Sequence, residues 1–431
     1  MQYYSLAKQS PVVDFKEATI AGQAPDKSLY FPSEVPKLCA AFFDTLESKS
    51  EADIAFEVLR PYVGATIAED ALYNIVSETV NFPIPLVPIT NTISSLELFH
   101  GPTLAFKDIG ARFMSRCLGA FVQNSDRKVT VLVATSGDTG GAVADGFYKV
   151  PGVEVVILYP SGKVSPVQEK QLTALGHNIH ALEVKGSFDD CQRMVKQAFT
   201  DEQVKAKKFL TSANSINVAR WLPQQVYYFF AYKQWKQQGQ PPVITVPSGN
   251  FGNICAGVLA YQSGLPVKQF IAACNANDTI PRFLESGKLE PRDPIPTLSN
   301  AMDVAVPSNF VRILEFFHQE LPELREMFKS VRVDDATTLA TIERVYKESN
   351  YLLDPHGAVG YYALEEYLKS LPKDKGFILE TAHPVKFPDA IEQALGFQPE
   401  VPKGLKGLLE REKKAELIGA EYNELREYLL S

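Results

Sequence analysis

Short apolar segments rich in β-branched residues alternate with helical segments through most of this chain. The predicted strands are residues 129–134, 153–159, 179–184, 243–246, 268–273 and 376–381, and the predicted helices between them include 142–148, 166–175, 189–199 and 254–261. Strands that are apolar on both faces and connected by helices are typical of parallel sheets, because the crossover helices cover both faces. The pattern predicts an α/β fold with two parallel-sheet domains. Ligands are expected in the cleft between them, at the carboxyl ends of the strands.

The amino-terminal part of the chain differs from this pattern. Residues 1–98 carry helical periodicity interrupted by proline, at 52–59 before Pro61 and again at 68–80. The segment 82–88 contains three prolines, which remove backbone donors and favour extended conformations, so it is predicted to be a structured connector. We therefore expect a mostly helical N-terminal domain.

The rest of the chain is divided into two predicted α/β domains, residues 99–228 and residues 229–431. The tail from 403 to 431 is charged and helical in pattern, which suits packing or contacts between subunits better than chemistry.

Composition excludes several classes of function. The 431 residues carry a net charge of −8, which argues against a nucleic-acid surface or a polybasic membrane anchor. The six histidines and five cysteines lack the spacing of metal ligands or of a disulfide framework, and no apolar stretch is long enough to span a membrane. We expect a cytoplasmic protein that has no metal and has neither nucleic acid nor membrane as a partner, and the sequence leaves open whether it is a monomer or a homodimer.

Lys107 lies among small and apolar residues in the segment Gly-Pro-Thr-Leu-Ala-Phe-Lys-Asp, residues 101–108. Burial lowers the pKa of a lysine and yields a neutral amine that can attack a carbonyl, so Lys107 is a candidate Schiff-base former. A lysine beside aromatic residues can equally be a surface residue whose aliphatic stem lies along the fold. Lys107 alone leaves both interpretations open.

A glycine-containing loop follows the predicted strand 243–246 and opens a predicted helix. Its residues are Ser248, Gly249, Asn250, Phe251, Gly252 and Asn253. In this arrangement successive backbone N–H groups and the helix dipole converge on an anion. An ordinary strand-to-helix turn would have the same pattern. The loop is neither a P-loop nor a dinucleotide-binding motif, because the following lysine and the third glycine are missing.

Two further polar segments follow predicted strands of the first α/β domain. Ser136, Asp138 and Thr139 offer groups suited to a carboxylate, although Asp138 or Thr139 could simply cap a helix. Asn214, Ser215 and Arg220 could hold a phosphate through charge-assisted hydrogen bonds, although Arg220 could instead be a surface ion-pair partner. For each segment, the ligand-binding and the structural interpretation both stay open.

Together these segments resemble the pyridoxal-phosphate enzymes of the tryptophan synthase β family. The resemblance rests on five blocks in the same order, at residues 98–108, 134–140, 212–217, 247–252 and 381–384, and extends from about residue 28 to 390. Five ordered blocks are far more specific than one glycine loop. The resemblance implies a tryptophan synthase β-like fold with pyridoxal 5'-phosphate in the cleft between the two α/β domains.

The resemblance also implies roles for individual residues. Lys107 would be the catalytic residue that bonds to the cofactor, the loop of residues 248–253 would hold the cofactor phosphate, and Thr381 would meet the pyridine nitrogen. Asp138 would face the cofactor ring, Ser136 and Thr139 the substrate carboxylate, and Asn214, Ser215 and Arg220 the substrate phosphate. Many relatives have asparagine at the position of Asp138, so a carboxylate there must be protonated, rotated away or otherwise partnered.

The activity that the resemblance implies is a γ-elimination of phosphate from O-phospho-L-homoserine, followed by addition of water at Cβ to give L-threonine and phosphate. The alternatives of the same fold are a phospho-lyase that releases a keto acid and a serine or threonine dehydratase. A non-catalytic anion-binding protein is the alternative from another class. His100, His356 and His383 are interpreted as packed loop residues in preference to proton carriers, and Asp108 is expected to pair with Arg112 along a helix.

Overall fold

The computed structural model describes residues 1–123, 128–237 and 239–431. The strands in these ranges are β1 (Gln2–Ser5), β2 (Val13–Asp14), β3 (Tyr30–Pro32), β4 (Leu86–Pro88), β5 (Ile93–Glu97), β6 (Val129–Ala134), β7 (Val153–Pro160), β8 (Ile179–Val184), β9 (Phe209–Thr211), β10 (Val243–Pro247), β11 (Gln269–Cys274), β12 (Phe328–Arg332), β13 (Gly376–Glu380) and β14 (Glu416–Ile418).

The α-helices in the same ranges are α1 (Phe15–Ala21), α2 (Ala40–Asp44), α3 (Glu51–Val63), α4 (Glu69–Thr79), α5 (Lys107–Val122), α6 (Asp138–Phe147), α7 (Pro166–Thr173), α8 (Phe188–Ala198), α9 (Glu202–Lys207), α10 (Val218–Trp221), α11 (Val226–Gln234), α12 (Gly252–Gln262), α13 (Thr279–Ser286), α14 (Phe310–Phe316), α15 (Leu321–Met327), α16 (Asp335–Ser349), α17 (Pro355–Ser370), α18 (Pro388–Leu395), α19 (Lys403–Leu409) and α20 (Tyr422–Leu430).

Two largely parallel sheets form the centre of the fold. One has five strands in the order β14-β8-β7-β6-β9, and the other has six in the order β12-β11-β10-β13-β5-β4. All pairs are parallel except that β4 runs antiparallel to β5 at the edge of the larger sheet. Every residue of β6, β10, β11 and β13 is buried, as expected for strands covered by helices on both faces. The predicted α/β class with two parallel sheets is confirmed.

The amino-terminal unit combines helices with a small antiparallel sheet of order β2-β1-β3. Ser50 and Asp53 form a capping box at the start of α3, which is why that helix begins at Glu51. The predicted helix stops before Pro61, whereas α3 continues to Val63 with Pro61 inside it. Tyr62 and Val63 are both buried, so their packing offsets the hydrogen bond that the proline removes.

Two segments cross the predicted domain boundaries. β5 pairs with β13 in the six-stranded sheet, although residues 93–97 fall within the predicted N-terminal domain of 1–98. β14 pairs with β8 of the five-stranded sheet, although residues 416–418 fall within the predicted domain of 229–431, in a tail expected to be helical. The chain returns to the first sheet at its end. Domain boundaries at residues 98 and 228 stay a proposal, and β5 and β14 each belong to a sheet of a different domain from the one predicted.

Candidate active site

Lys107 is the first residue of α5, and its position is fixed by the segment that follows β13. Ala105 forms an isolated antiparallel bridge with Ala382, and the Phe106 N–H donates to the Thr381 carbonyl at 2.9 Å. β13 lies directly beside β10, whose carboxyl end carries the loop of residues 248–253. Neighbouring strands are about 4.8 Å apart, so Lys107, Thr381 and that loop lie close together at the carboxyl ends of the two central strands β10 and β13.

The side chain of Lys107 is mostly buried, with 18% of its surface exposed, and its Nζ lies 3.9 Å from Oδ2 of Asp138. Burial is the largest cause that lowers the pKa of Lys107. Asp138 acts in the opposite direction, and the positive charges of Lys386 and Arg220 lower the pKa further. The surface interpretation of Lys107 is therefore wrong, and burial shifts the amine toward its neutral, nucleophilic form.

Asp138 is a partnered carboxylate, one of the three arrangements expected for an acid at this position. Its Oδ1 accepts from Lys386 Nζ at 2.7 Å and from Gln168 Nε2 at 2.9 Å. Burial raises its pKa, but Lys386, Lys107 and Gln168 together hold the pKa well below its usual range. Asp138 is thus ionised, with one oxygen engaged and the other facing Lys107.

The loop of residues 248–253 is held in a strained, close-packed conformation. Phe251 precedes α12 in the left-handed region with φ of 61°, and its ring is buried against Phe310 and Phe328. A Cβ at Gly249 would lie 2.7 Å from the Ala301 carbonyl oxygen, so only glycine fits there. The side chains of Ser248 and Asn253 bond to backbone of their own turn.

Most backbone N–H groups of this loop are left without acceptors in the described part of the chain, at the start of a helix. Within the described residues, the N–H groups of the five consecutive residues from Gly249 to Asn253 have no hydrogen-bond acceptor. They stand at the amino end of α12, an eleven-residue helix, where the helix dipole adds positive potential. A phosphate satisfies such donors, so this feature fits the predicted role better than an ordinary turn does.

The loop after β6 is capped by a residue that the sequence analysis did not select. Thr135 Oγ1 accepts from the N–H groups of Gly137 and Gly140, at 2.9 and 2.8 Å. The expected alternative, a cap by Asp138 or Thr139, is therefore wrong, because both residues lie inside α6. Ser136 and Thr139 are partly exposed, and their hydroxyls have no hydrogen bond to the described part of the chain. They stay available to a ligand.

Arg220 is buried, with 2% of its surface exposed. Its guanidinium donates to the Ala213 carbonyl, and no carboxylate of the described residues lies within ion-pair distance of it. Its Nε is also buried without a partner. Burial lowers the pKa of Arg220 to about 10, so the group is still charged at neutral pH. The surface ion-pair interpretation is wrong, and a buried cation without an anion is suited to an anionic ligand.

Asn309 and Arg312 connect the predicted phosphate-binding segments, and the sequence analysis did not select either. Asn309 Nδ2 donates to Ser215 Oγ at 3.2 Å and to the Asn250 carbonyl at 3.1 Å. Arg312 is fully buried, with its guanidinium 4.3 Å from the Trp221 ring centre, and it donates to Ile216 O, Ser215 O, Tyr30 O and Asn309 Oδ1. Asn214 and Ser215 are thereby held beside the loop of residues 248–253.

Replacing Arg312 by methionine is expected to lower the free energy of unfolding by roughly 3 kcal/mol, because several buried carbonyls lose their donor. The matched control is Arg193→Met, which removes an exposed guanidinium paired with Asp190 and should cost less than about 1 kcal/mol. Urea unfolding of both variants measures the difference. Equal losses in the two variants would contradict the structural role of Arg312.

The three histidines lie in different environments: His356 is buried in the first turn of α17, His383 is half-buried in the segment after β13, and His100 is exposed, so the packed-loop interpretation describes His383 alone. His356 Nε2 accepts from the Ala301 N–H at 3.2 Å, and its Nδ1 is 2.5 Å from Asp354. His383 Nδ1 accepts from the Val385 N–H at 3.1 Å, and His100 Nε2 is 2.6 Å from Glu97. Asp108 accepts from the backbone and the hydroxyl of Thr103 in place of Arg112, so the predicted helical pair is wrong.

His383 should make stability depend on pH. Burial first, and His100 second, lower the pKa of His383 to about 4 from an ordinary value of 6.5. Because the folded state binds this proton less readily than the unfolded chain does, the contribution is fully present above about pH 6.5 and is lost as the pH falls toward 4. Between pH 7 and pH 5 the protein should lose about 1 to 2 kcal/mol more stability than His383→Asn, as measured by urea unfolding. An equal loss in both would contradict this assignment.

Comparisons with known proteins show which families this chain matches. The family described as "Pyridoxal-phosphate dependent enzyme" matches residues 85–379. The families described as "Threonine synthase N terminus" and "Threonine synthase, C-terminal" match residues 2–80 and 357–429. The three matches together extend over nearly the whole chain.

Individual relatives are similar over their full length. Threonine synthase of Serratia marcescens is 44% identical over 431 residues, which cover 100% of this chain and 99% of that protein. The crystal structure of pyridoxal-phosphate-bound threonine synthase from Brucella melitensis matches with a TM-score of 0.94 and 38% identity over 100% of this chain and 98% of that one. Threonine synthase from Escherichia coli matches with a TM-score of 0.92 and 42% identity, covering 100% of this chain and 99% of that one.

Proposed function

Because the chain belongs to the threonine synthase family of pyridoxal-phosphate-dependent enzymes, we propose that it converts O-phospho-L-homoserine and water into L-threonine and inorganic phosphate. The enzyme is a carbon–oxygen lyase, and pyridoxal 5'-phosphate is its cofactor. The observation that carries the choice of a phosphorylated substrate is the buried guanidinium of Arg220, which has no carboxylate partner in the described residues. The α-carboxylate of the substrate is assigned to Ser136 and Thr139, so a free hydroxy amino acid would leave Arg220 without a counter-charge.

The residues present fit the cofactor. The unbonded N–H groups from Gly249 to Asn253 would hold its phosphate, and Lys107 would bond to its aldehyde. The Thr381 hydroxyl, which has no hydrogen bond to the described residues, would meet the pyridine nitrogen, and Asp138 would face the ring. When bound, pyridoxal phosphate draws electrons from the substrate carbon skeleton and stabilises negative charge at Cα and Cβ.

The chain itself binds the substrate and moves protons. Ser136 and Thr139 donate to the substrate carboxylate, and Asn214, Ser215 and Arg220 hold the substrate phosphate until it leaves from Cγ. The Lys107 amine would take the proton from Cα and then one from Cβ as phosphate leaves from Cγ, and it would return protons to Cγ and Cα when water adds its hydroxyl at Cβ. One flexible, partly exposed amine serves these steps because its pKa is lowered toward the working pH.

An assay of both products tests this proposal. With added pyridoxal phosphate, O-phospho-L-homoserine should yield threonine and phosphate in equal amounts, with no 2-oxobutyrate. Phosphate release accompanied by 2-oxobutyrate would identify a phospho-lyase, and conversion of free threonine or serine to a keto acid would identify a dehydratase. Either result would contradict the proposed reaction.

The location and assembly of the enzyme are part of the proposal. The five cysteines are unpaired and four of them are buried, which is typical of a protein in a reducing compartment, and we place the reaction in the cytoplasm. Among the helices of the described ranges, none has the length and apolar character needed to cross a membrane. The substrate is a small molecule, and a monomer or a homodimer would both serve.

A further inference from the structure

Lys386 is a fully buried lysine at the junction of the two sheets. It lies in the segment that follows β13 of the six-stranded sheet, and its Nζ is 2.7 Å from Oδ1 of Asp138, which follows β6 of the five-stranded sheet. The same ammonium donates to the Thr103 carbonyl at 2.8 Å, in the segment that leads to Lys107. One cation therefore bonds to both segments that surround the reactive amine.

The two lysines compete for one carboxylate. Asp138 Oδ1 is occupied by Lys386 and by Gln168, whereas its Oδ2 is 3.9 Å from Lys107, too far for a hydrogen bond. If Lys386 were absent, Asp138 would be a buried carboxylate whose nearest cation is Lys107. A buried charge of that kind pulls in a counter-ion, and Lys107 would be drawn into a tight ion pair.

We propose that Lys386 is a positioning residue that engages Asp138 and thereby leaves the Lys107 amine uncommitted for its reaction with the cofactor and the substrate. The inference rests on the proposed function and adds a residue that neither sequence motif nor resemblance assigned. It also accounts for the presence of a buried acid at position 138, since the positive charge of Lys386 balances that of the carboxylate.

The neighbouring hydrogen bonds separate this role from a purely structural one. The Thr103 carbonyl also accepts from Gln171 Nε2 at 2.9 Å, and Asp138 Oδ1 also accepts from Gln168. A neutral residue at position 386 therefore removes a charge while both acceptors retain another donor. The effect should appear first in the electrostatics of Lys107 and only second in stability.

The groups that face this centre come from several elements. Lys107 and Asp108 belong to α5, Asp138 to α6 and Arg220 to α10, while His383 precedes Lys386 in its own segment. Of these, Asp138 is the one carboxylate that forms an ion pair with a lysine in the described residues. Replacing both Asp138 and Lys386 by neutral residues therefore removes one negative and one positive charge together.

The test compares Lys386→Gln with the double variant Asp138→Asn/Lys386→Gln, each as holoenzyme. The readout is the pH at which the absorption band of the bound cofactor titrates, together with kcat for threonine formation. Loss of the positive charge alone should move the midpoint upward by about one pH unit or more and lower kcat at least about tenfold. The double variant should return most of the way to the wild-type midpoint, because both charges are gone.

Lys268→Gln is the matched control. It removes a lysine paired with Asp374 at 2.5 Å, at the opposite ends of the strands, and should leave both midpoint and kcat unchanged. An unchanged midpoint in Lys386→Gln, or a double variant shifted as far as the single one, would overturn the proposal. If Lys386→Gln fails to retain cofactor, return of the band in the double variant supports the proposal and continued absence overturns it. A wild-type enzyme that forms no threonine would instead contradict the proposed function.

Discussion

Replacing Lys107 by alanine is expected to lower kcat for threonine formation at least about 1000-fold, because the variant loses both the amine that bonds to the cofactor and the group that moves the substrate protons. Lys107 is the mostly buried amine at the start of α5, and the pKa of its side chain is lowered by that burial. The measurement is a steady-state assay of threonine and phosphate with saturating pyridoxal phosphate, accompanied by the absorption spectrum of the purified protein.

The variant Lys107→Arg distinguishes chemistry from charge. Arginine retains a cation opposite Asp138 but cannot supply a neutral amine, so it should be as inactive as the alanine variant. Urea unfolding should show both variants folded. Retention of more than about a tenth of the wild-type kcat by Lys107→Ala would contradict the assignment.

Replacing Arg220 by alanine is expected to raise KM for O-phospho-L-homoserine roughly 100-fold, since loss of one partner of a buried charge pair costs several kcal/mol. Arg220 has no anionic partner within ion-pair distance among the described residues, so the substrate phosphate would be its counter-ion. The cofactor spectrum should be unchanged, because the separate loop of residues 248–253 holds the cofactor.

Inhibition by inorganic phosphate gives a second measure of the same contact. The inhibition constant of phosphate should rise in Arg220→Ala by a factor similar to that of KM. In Arg220→Lys both constants should lie between those of Arg220→Ala and those of the wild type. A variant that loses stability but keeps both constants would show that Arg220 is structural, held for its bond to the Ala213 carbonyl.

The sequence predicted the elements whose signal is local. Residues 129–134 and 179–184 are strands with the predicted bounds, and the loop of residues 248–253 lies between strand and helix as expected. Such segments are apolar on both faces, so their composition alone is informative. The short strands β4, β5 and β14 depend on partners distant in sequence, and local composition did not indicate them.

The residues that hold the site together were harder to predict than those that face the cleft. Arg312 and Asn309 act through backbone carbonyls about 60 to 280 positions away, a relation that a single sequence does not contain. Lys386 had a usable signal, because it stands between Val385 and Phe387 as Lys107 follows Ala105 and Phe106. A lysine among apolar residues deserved the same interpretation at both positions. For Asp138, the sequence analysis did indicate that a carboxylate at this position needs a partner.

The most direct test of the account is the identity of the lysine that bonds to the cofactor. Reduction of the holoenzyme with borohydride, followed by proteolysis and mass spectrometry, should place the pyridoxyl group on the peptide that contains Lys107 and abolish the visible absorption band. Labelling of Lys386, the neighbouring buried lysine, or of no lysine at all, would contradict the account.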